Sequence, residues 1–159
     1  MTRAASKFLR ILNQIEKDLK TITVANGYVT ELIPDAISML PCQMPAITIF
    51  PMCFITYKGK TVTELQNSRG VKKTKQIRLI FFLRDSSTKP TIKQIADLET
   101  DLDVLWRKNN PTLKEVTETT QEELVTKIKM IDDAAYKVSG MSYEVWIADF
   151  EVTFHENWT

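Results

Sequence analysis

The chain has 159 residues, 43 % of them hydrophobic and 26 % charged, with 21 Lys and Arg against 20 Asp and Glu. That length suits one domain able to bury roughly two-thirds of its unfolded surface, and the composition excludes a disordered chain. A net charge of +1 exerts no global pull on nucleic acid or membrane, so only local patches can argue for either.

Residues 6 to 25 predict an amphipathic helix. Phe8, Ile11, Leu12, Ile15, Leu19 and Ile22 form its apolar stripe, Ser6 is placed to cap it, and Asn26-Gly27 supplies the left-handed conformation that ends helices. Arg3, Lys7 and Arg10 interrupt the apolar residues of Met1 to Asn13, unlike the core of a signal peptide. Residues 34 to 45 contain Pro34, Pro41 and Pro45 and read as a loop. Ala46 to Phe50 reads as a short apolar strand closed by Pro51, and Met52 to Tyr57 as extended. Lys58-Gly59-Lys60 and Arg69-Gly70 mark turns in a long hairpin over 57 to 84, whose outer part, 57 to 77, is expected to project from the body.

Ile77 to Leu83 returns to the sheet centre. Its longest apolar run, Leu79 to Leu83, is far too short to span a membrane. A helix over 91 to 108 follows, with Ile92, Ile95, Leu98, Leu102, Leu105 and Trp106 on one side and Thr91 with Gln94 as a capping box. Asn109-Asn110-Pro111 stops it. Residues 112 to 123 predict an exposed loop, Leu124 to Ile131 a strand, and Asp132-Asp133 and Gly140-Met141-Ser142 turns. Tyr143 to His155 is the longest strand, with Trp146, Ala148, Phe150, Val152 and Phe154 on one face. Together these elements predict a single α+β domain over 1–159: a mostly antiparallel sheet with two helices packed on it and a projecting β-hairpin.

Chemistry is sparse. The single histidine, His155, has no framed nucleophile beside it. Four glycines, at 27, 59, 70 and 140, exclude phosphate-loop and dinucleotide fingerprints. Cys42 and Cys53 match no metal or redox spacing. Asp132 and Asp133 read as turn residues before they read as a catalytic pair. No catalytic residue, metal site or cofactor is expected.

Two charge features stand out. Residues 58 to 75 carry Lys58, Lys60, Arg69, Lys72, Lys73 and Lys75 against Glu64, a net of +5, and residues 97 to 103 carry Asp97, Glu99, Asp101 and Asp103, a net of −4. Both can be plain solvated surface. Complementary patches also fix orientation between copies or partners, which makes Lys58, Lys60, Arg69, Lys72, Lys73 and Lys75 contact candidates, with Asp97, Asp101 and Asp103 as counter-charges. The basic stretch could instead touch phosphates, although Tyr57 is the one aromatic near it, so base stacking is poorly supplied.

The order of elements carries a resemblance. It runs from an N-terminal amphipathic helix ending at Asn26-Gly27-Tyr28 to the proline-bounded segment Pro45 to Pro51 and a charged excursion. The strand Ile77 to Arg84 follows, then the helix with Leu98, Leu102, Leu105 and Trp106, and a closing strand after a glycine turn. Over nearly its whole length the chain resembles the tail terminator (tail completion) proteins of long-tailed bacteriophages, by pattern and not by a short diagnostic motif. The resemblance implies a structural virion protein assembled in the host bacterial cytoplasm. It implies a homo-oligomer, a hexameric ring at the head-proximal end of the tail, that caps the tail tube and stops its polymerisation. Its partners would be the tail tube protein and the head connector or completion protein, with DNA only passing through the ring and no membrane. A head-completion or tail-tube protein is the neighbouring alternative. A nucleic-acid-binding module using 58 to 75 is the alternative of another class, and a small enzyme is disfavoured.

Overall fold

The structure, a computed structural model, describes residues 6–67 and 70–157, without the side chains of residues 60 and 67. Its elements are α1 (Lys7–Leu19), β1 (Ile37–Met39), β2 (Met52–Asn67), β3 (Gly70–Leu83), α2 (Thr91–Asp103), β4 (Lys114–Val116), β5 (Gln121–Glu123), β6 (Lys127–Lys137) and β7 (Glu144–Asn157). Five strands form one sheet in the order β1-β2-β3-β7-β6. Only the β1–β2 pair is parallel. The fold is the expected α+β class, a mostly antiparallel sheet with two helices.

Alternation decides which face is buried. Ile77, Leu79, Phe81 and Leu83 of β3 lie on the same side as Cys53 and Ile55 of β2 and Trp146, Ala148, Phe150, Val152 and Phe154 of β7, as the register requires. Those side chains form one core with Ile11, Ile15 and Leu19 of α1 and Leu98 and Leu102 of α2. Both helices therefore cover the same face. Burying each large apolar side chain contributes about 1.5–3 kcal/mol, and the central pair β3–β7 concentrates that burial. Phe81 packs against Trp146 with the rings tilted by 31° and their centroids 5.4 Å apart.

Several local expectations are corrected. The first helix ends at Leu19 and not near residue 25. Thr21 folds back, its hydroxyl donating to the Asp18 carbonyl at 2.6 Å, and Gly27, at φ +90°, closes the short 3-10 turn Val24–Asn26 instead. Ser6 does cap α1, accepting from the Leu9 amide at 3.2 Å. Residues 46 to 50 are not a strand. The sheet edge is supplied by Ile37–Met39 inside the proline-rich loop, and the Phe50–Pro51 peptide is cis.

The second helix starts at Thr91 as expected, but no capping box forms. Asp85 Oδ1 accepts from the Thr91 amide at 2.7 Å, and Gln94 Nε2 donates to the carbonyls of Arg84 and Lys89. Past Asp103 the helix widens into a π turn, Val104–Asn109, which rotates Leu105 and Trp106 into the core. Ile92 is left outside it at 77 % exposure. Residues 112 to 123 contain a small two-stranded ribbon, β4 with β5. Asp132-Asp133 is not a turn: β6 runs through it with a bulge between Met130 and Asp132.

A buried polar knot fastens the helices to each other. Asp18 accepts from Gln14 Nε2 at 2.8 Å, from Trp106 Nε1 at 3.2 Å and from Asn110 Nδ2 at 3.0 Å. Burial raises its carboxyl above the usual carboxylate range, and the three donors pull the other way. At the surface Arg10 holds the β4–β5 ribbon, bonding Glu115 at 2.6 Å and also Glu122. The Glu115 carboxyl is lowered by that Arg10 bond.

Candidate assembly surface

The face of the sheet turned away from the helices changes character along the strands. At one end it presents Phe54 and Phe82, buried beneath Tyr143 and the Phe50 loop. Next comes a charged row. Asp149, 3 % exposed, is gripped by Arg78 through two bonds of 2.8 and 3.2 Å and by Lys58 at 2.7 Å. Burial pushes the Asp149 carboxyl up, and the bonds from Arg78 and Lys58 outweigh it, so it sits below the usual range. This three-strand clamp joins β2, β3 and β7 where the apolar half of that face ends. In the sequence Arg78 is the one charge within Ile77 to Leu83, and nothing beside it names a partner. An Asp inside the Trp146–Phe154 alternation was the available signal for one.

Beyond the clamp β2, β3 and β7 continue together, from Thr61↔Lys75 to Asn67↔Gly70 and on to Gly70↔Asn157. The outer arms are therefore a three-stranded continuation of the sheet. Helix α1 reaches this region through its first turn. Phe8 packs on Tyr57 and Phe154, and the Lys7 ammonium donates to the His155 carbonyl at 2.7 Å. Thr61 to Gln66 are all exposed, with Val62 at 49 % and Leu65 at 75 %.

The basic contact candidates are largely engaged within the chain. Lys58 serves the clamp. Lys73 meets Glu156 at 2.5 Å, and Lys72 faces Glu64 at 3.8 Å. Lys75 lies over the Phe8 and Tyr57 rings, 4.7 and 5.0 Å from their centroids, and donates to Thr61 Oγ1. Arg69 and the Lys60 side chain lie outside the described residues.

The acidic candidates are not equivalent. Asp101 is 2 % exposed and accepts from the amides of Val29 and Thr30 at 3.0 and 2.7 Å, fixing the loop after α1. Asp97 pairs with Lys89 at 2.6 Å. Asp103 pairs with Arg107 one helical turn on, half-exposed, and Glu99 faces solvent.

Two further features were not visible in the sequence. A groove of about 1130 Å³ opens between α2 with its π turn and β6, floored by Leu102, Trp106, Ile128, Met130 and Phe150. The sheet also has two unlike edges. On one side β1 covers only Cys53 to Ile55 of β2, so from Thr56 outward the β2 edge has no strand beside it among the described residues. On the other side β6 is the edge for its whole length, exposed at eight of its eleven residues.

Among the described residues neither His155 nor Cys53 is framed as a reacting group. His155 is exposed and stands opposite Lys72 in the sheet. Cys53 is buried, which pushes its thiol up and keeps it protonated. Among the described residues no cluster of His, Cys, Asp or Glu could hold a metal ion, and no helix is long and apolar enough to cross a membrane.

No protein-family model matches the chain, and no curated protein matches it in sequence. Among solved structures, a chain described as belonging to the virion of a native gene transfer agent (GTA) particle aligns over 92 % of both chains, at 7 % identity and a TM-score of 0.46. A score of that size does not establish a common fold, and it carries no weight for function.

Proposed function

We propose that this chain is a non-enzymatic structural protein of a phage-type virion. Specifically, it acts as a tail terminator whose copies close into a ring on the tail tube, stop its growth and present a surface to the head connector. The observation that carries the reading is the sheet with two unlike, unfinished edges and a three-stranded extension whose β2 arm is exposed. A subunit of a closed ring needs two different, mutually complementary surfaces, and a strand edge without a neighbour, such as that of β2 from Thr56 outward among the described residues, is a template for pairing with another chain. The order of helix, strands, helix and closing strand over nearly the whole chain supports the same assignment through its resemblance to tail terminators. Engagement of Lys58, Lys72, Lys73 and Lys75 with acids and aromatic rings of their own chain counts against phosphate binding by this stretch.

The test is the native mass of the purified chain, with negatively stained micrographs and a mixture with tail tubes. Closed rings of six that bind tube ends and halt elongation are expected. Particles that lengthen into filaments would identify a tube protein instead. DNA affinity falling steeply between low and high salt, with no particles formed, would replace assembly by nucleic-acid binding.

A further inference from the structure

We infer that one copy's β2 edge, Thr61–Asn67, adds to the β6 edge of the next copy as an antiparallel strand, seating Leu65 in the groove beneath α2. The inference rests on the ring reading above and names the surfaces that would build it.

Strand direction allows the pairing without adjustment. β2 is antiparallel to β3, β3 to β7 and β7 to β6, so β2 and β6 run in opposite directions. Copies related by rotation about an axis running roughly along the strands keep strand direction and sheet face. A neighbour's β2 laid beside β6 therefore arrives antiparallel, with its helix-side face continuous with that of β6. Parallel or face-flipped docking would need a different symmetry.

Side-chain chemistry matches on both faces. On the helix side the register of β2 presents Thr61, Thr63 and Leu65, and β6 presents Ile128 and Met130, the edge of the apolar groove floor. Leu65, 75 % exposed in the single chain, has no apolar cover of its own and would gain one there. On the opposite side β2 presents Val62 and Glu64, while β6 presents Lys127 and Lys129, both exposed. Opposite charges side by side on paired strands stabilise a register, and like charges oppose it. The unpaired backbone groups of both edges supply the remaining hydrogen bonds.

The experiment measures self-association of the full-length chain by sedimentation velocity and native mass spectrometry, alone and with tail tubes. Leu65→Glu is expected to weaken each contact about 10- to 100-fold, the equivalent of one lost buried leucine. Lys129→Glu and Glu64→Lys each place like charges together and should weaken it less, and their combination should recover most of the loss. Ile92→Glu, on the exposed start of α2, should leave association unchanged. All four positions are exposed, and unchanged circular dichroism and melting would show that each variant folds. If the wild-type chain associates and Leu65→Glu and Lys129→Glu do so equally well, the strand pairing is wrong while the ring reading stands. If the wild-type chain stays monomeric both alone and on tubes, the ring reading and the pairing fall together.

Discussion

Replacing Arg78 with methionine should lower the melting temperature by roughly 5–10 °C at neutral pH, because it leaves the buried Asp149 carboxylate with one cation instead of two. Arg78 makes two charge-assisted bonds to Asp149, at 2.8 and 3.2 Å. Fully buried bonds of this kind contribute about 1.5–3 kcal/mol each. Two facts reduce the loss: Lys58 still holds Asp149 at 2.7 Å, and the Arg78 side chain is 34 % exposed, so water screens part of its charge. A net cost of about 2–3 kcal/mol remains, and a chain of this size loses about 2–4 °C per kcal/mol. The pH dependence has a definite sign. Because Asp149 titrates below its unfolded value, its contribution is complete above that unfolded value, about pH 4, and is withdrawn as pH falls through the lowered one. Chemical denaturation of both proteins at pH 7 and at pH 2 tests this. A difference under about 0.5 kcal/mol at pH 7, well below the bond strengths invoked, or an equal difference at both pH values, would refute the reasoning.

Asp101→Ala should cost about 2 kcal/mol by stranding the Val29 and Thr30 amides; hydrogen exchange at those two amides should accelerate before any other in the loop. Gly70→Ala would place a Cβ 2.8 Å from the Glu156 carbonyl oxygen, so the ends of β3 and β7 must part; exchange should rise over Val152 to Asn157 while the Trp146–Phe81 region stays protected. Asp18 contributes in the opposite sense to Asp149. Its carboxyl is raised in the fold, so the stability it gives is complete below about pH 4 and shrinks as pH climbs through the raised value. An Asp18→Asn variant should show a flatter stability profile above pH 4, measured by urea unfolding.

Alternation and helical spacing made the central sheet legible. Trp146, Ala148, Phe150, Val152 and Phe154 were assigned to one face because large side chains at every second position of a strand share a face, and they are all in the core. Leu98, Leu102, Leu105 and Trp106 were read correctly as inward. Ile92 was not, since the first turn of α2 stands clear of the sheet and periodicity does not report where a helix overhangs. The edge strand was misplaced for a related reason. Ala46–Phe50 looks apolar enough, but Pro45 and Pro51 remove amide donors at its ends, and Ile37–Met39 takes the place beside β2 instead. The clamp at Asp149 and the burial of Asp101 depend on contacts between residues 71 or more apart in the chain, and the groove under α2 brings α2 against β6 and Phe150 of β7. No local pattern encodes such contacts. By charge alone Asp97, Asp101 and Asp103 are alike, although Asp101 is enclosed by backbone amides.

The pairing of β3 with β7 also governs how the chain is made. Leu83 waits for Glu144 and Gly70 for Asn157, partners 61 to 87 residues downstream, so the most apolar strand of the protein leaves the ribosome long before its neighbour exists. At about 5–20 residues per second that interval is several seconds, during which Leu79 to Leu83 is uncovered on its β7 side. Helix α1 and β2 are already synthesised and can shelter it only in part. Truncation ahead of Glu144, where β7 begins to cover Leu83, would make that exposure permanent, and the product should collect with chaperones or in inclusion bodies, whereas loss of the β4–β5 ribbon should leave the centre of the sheet able to close.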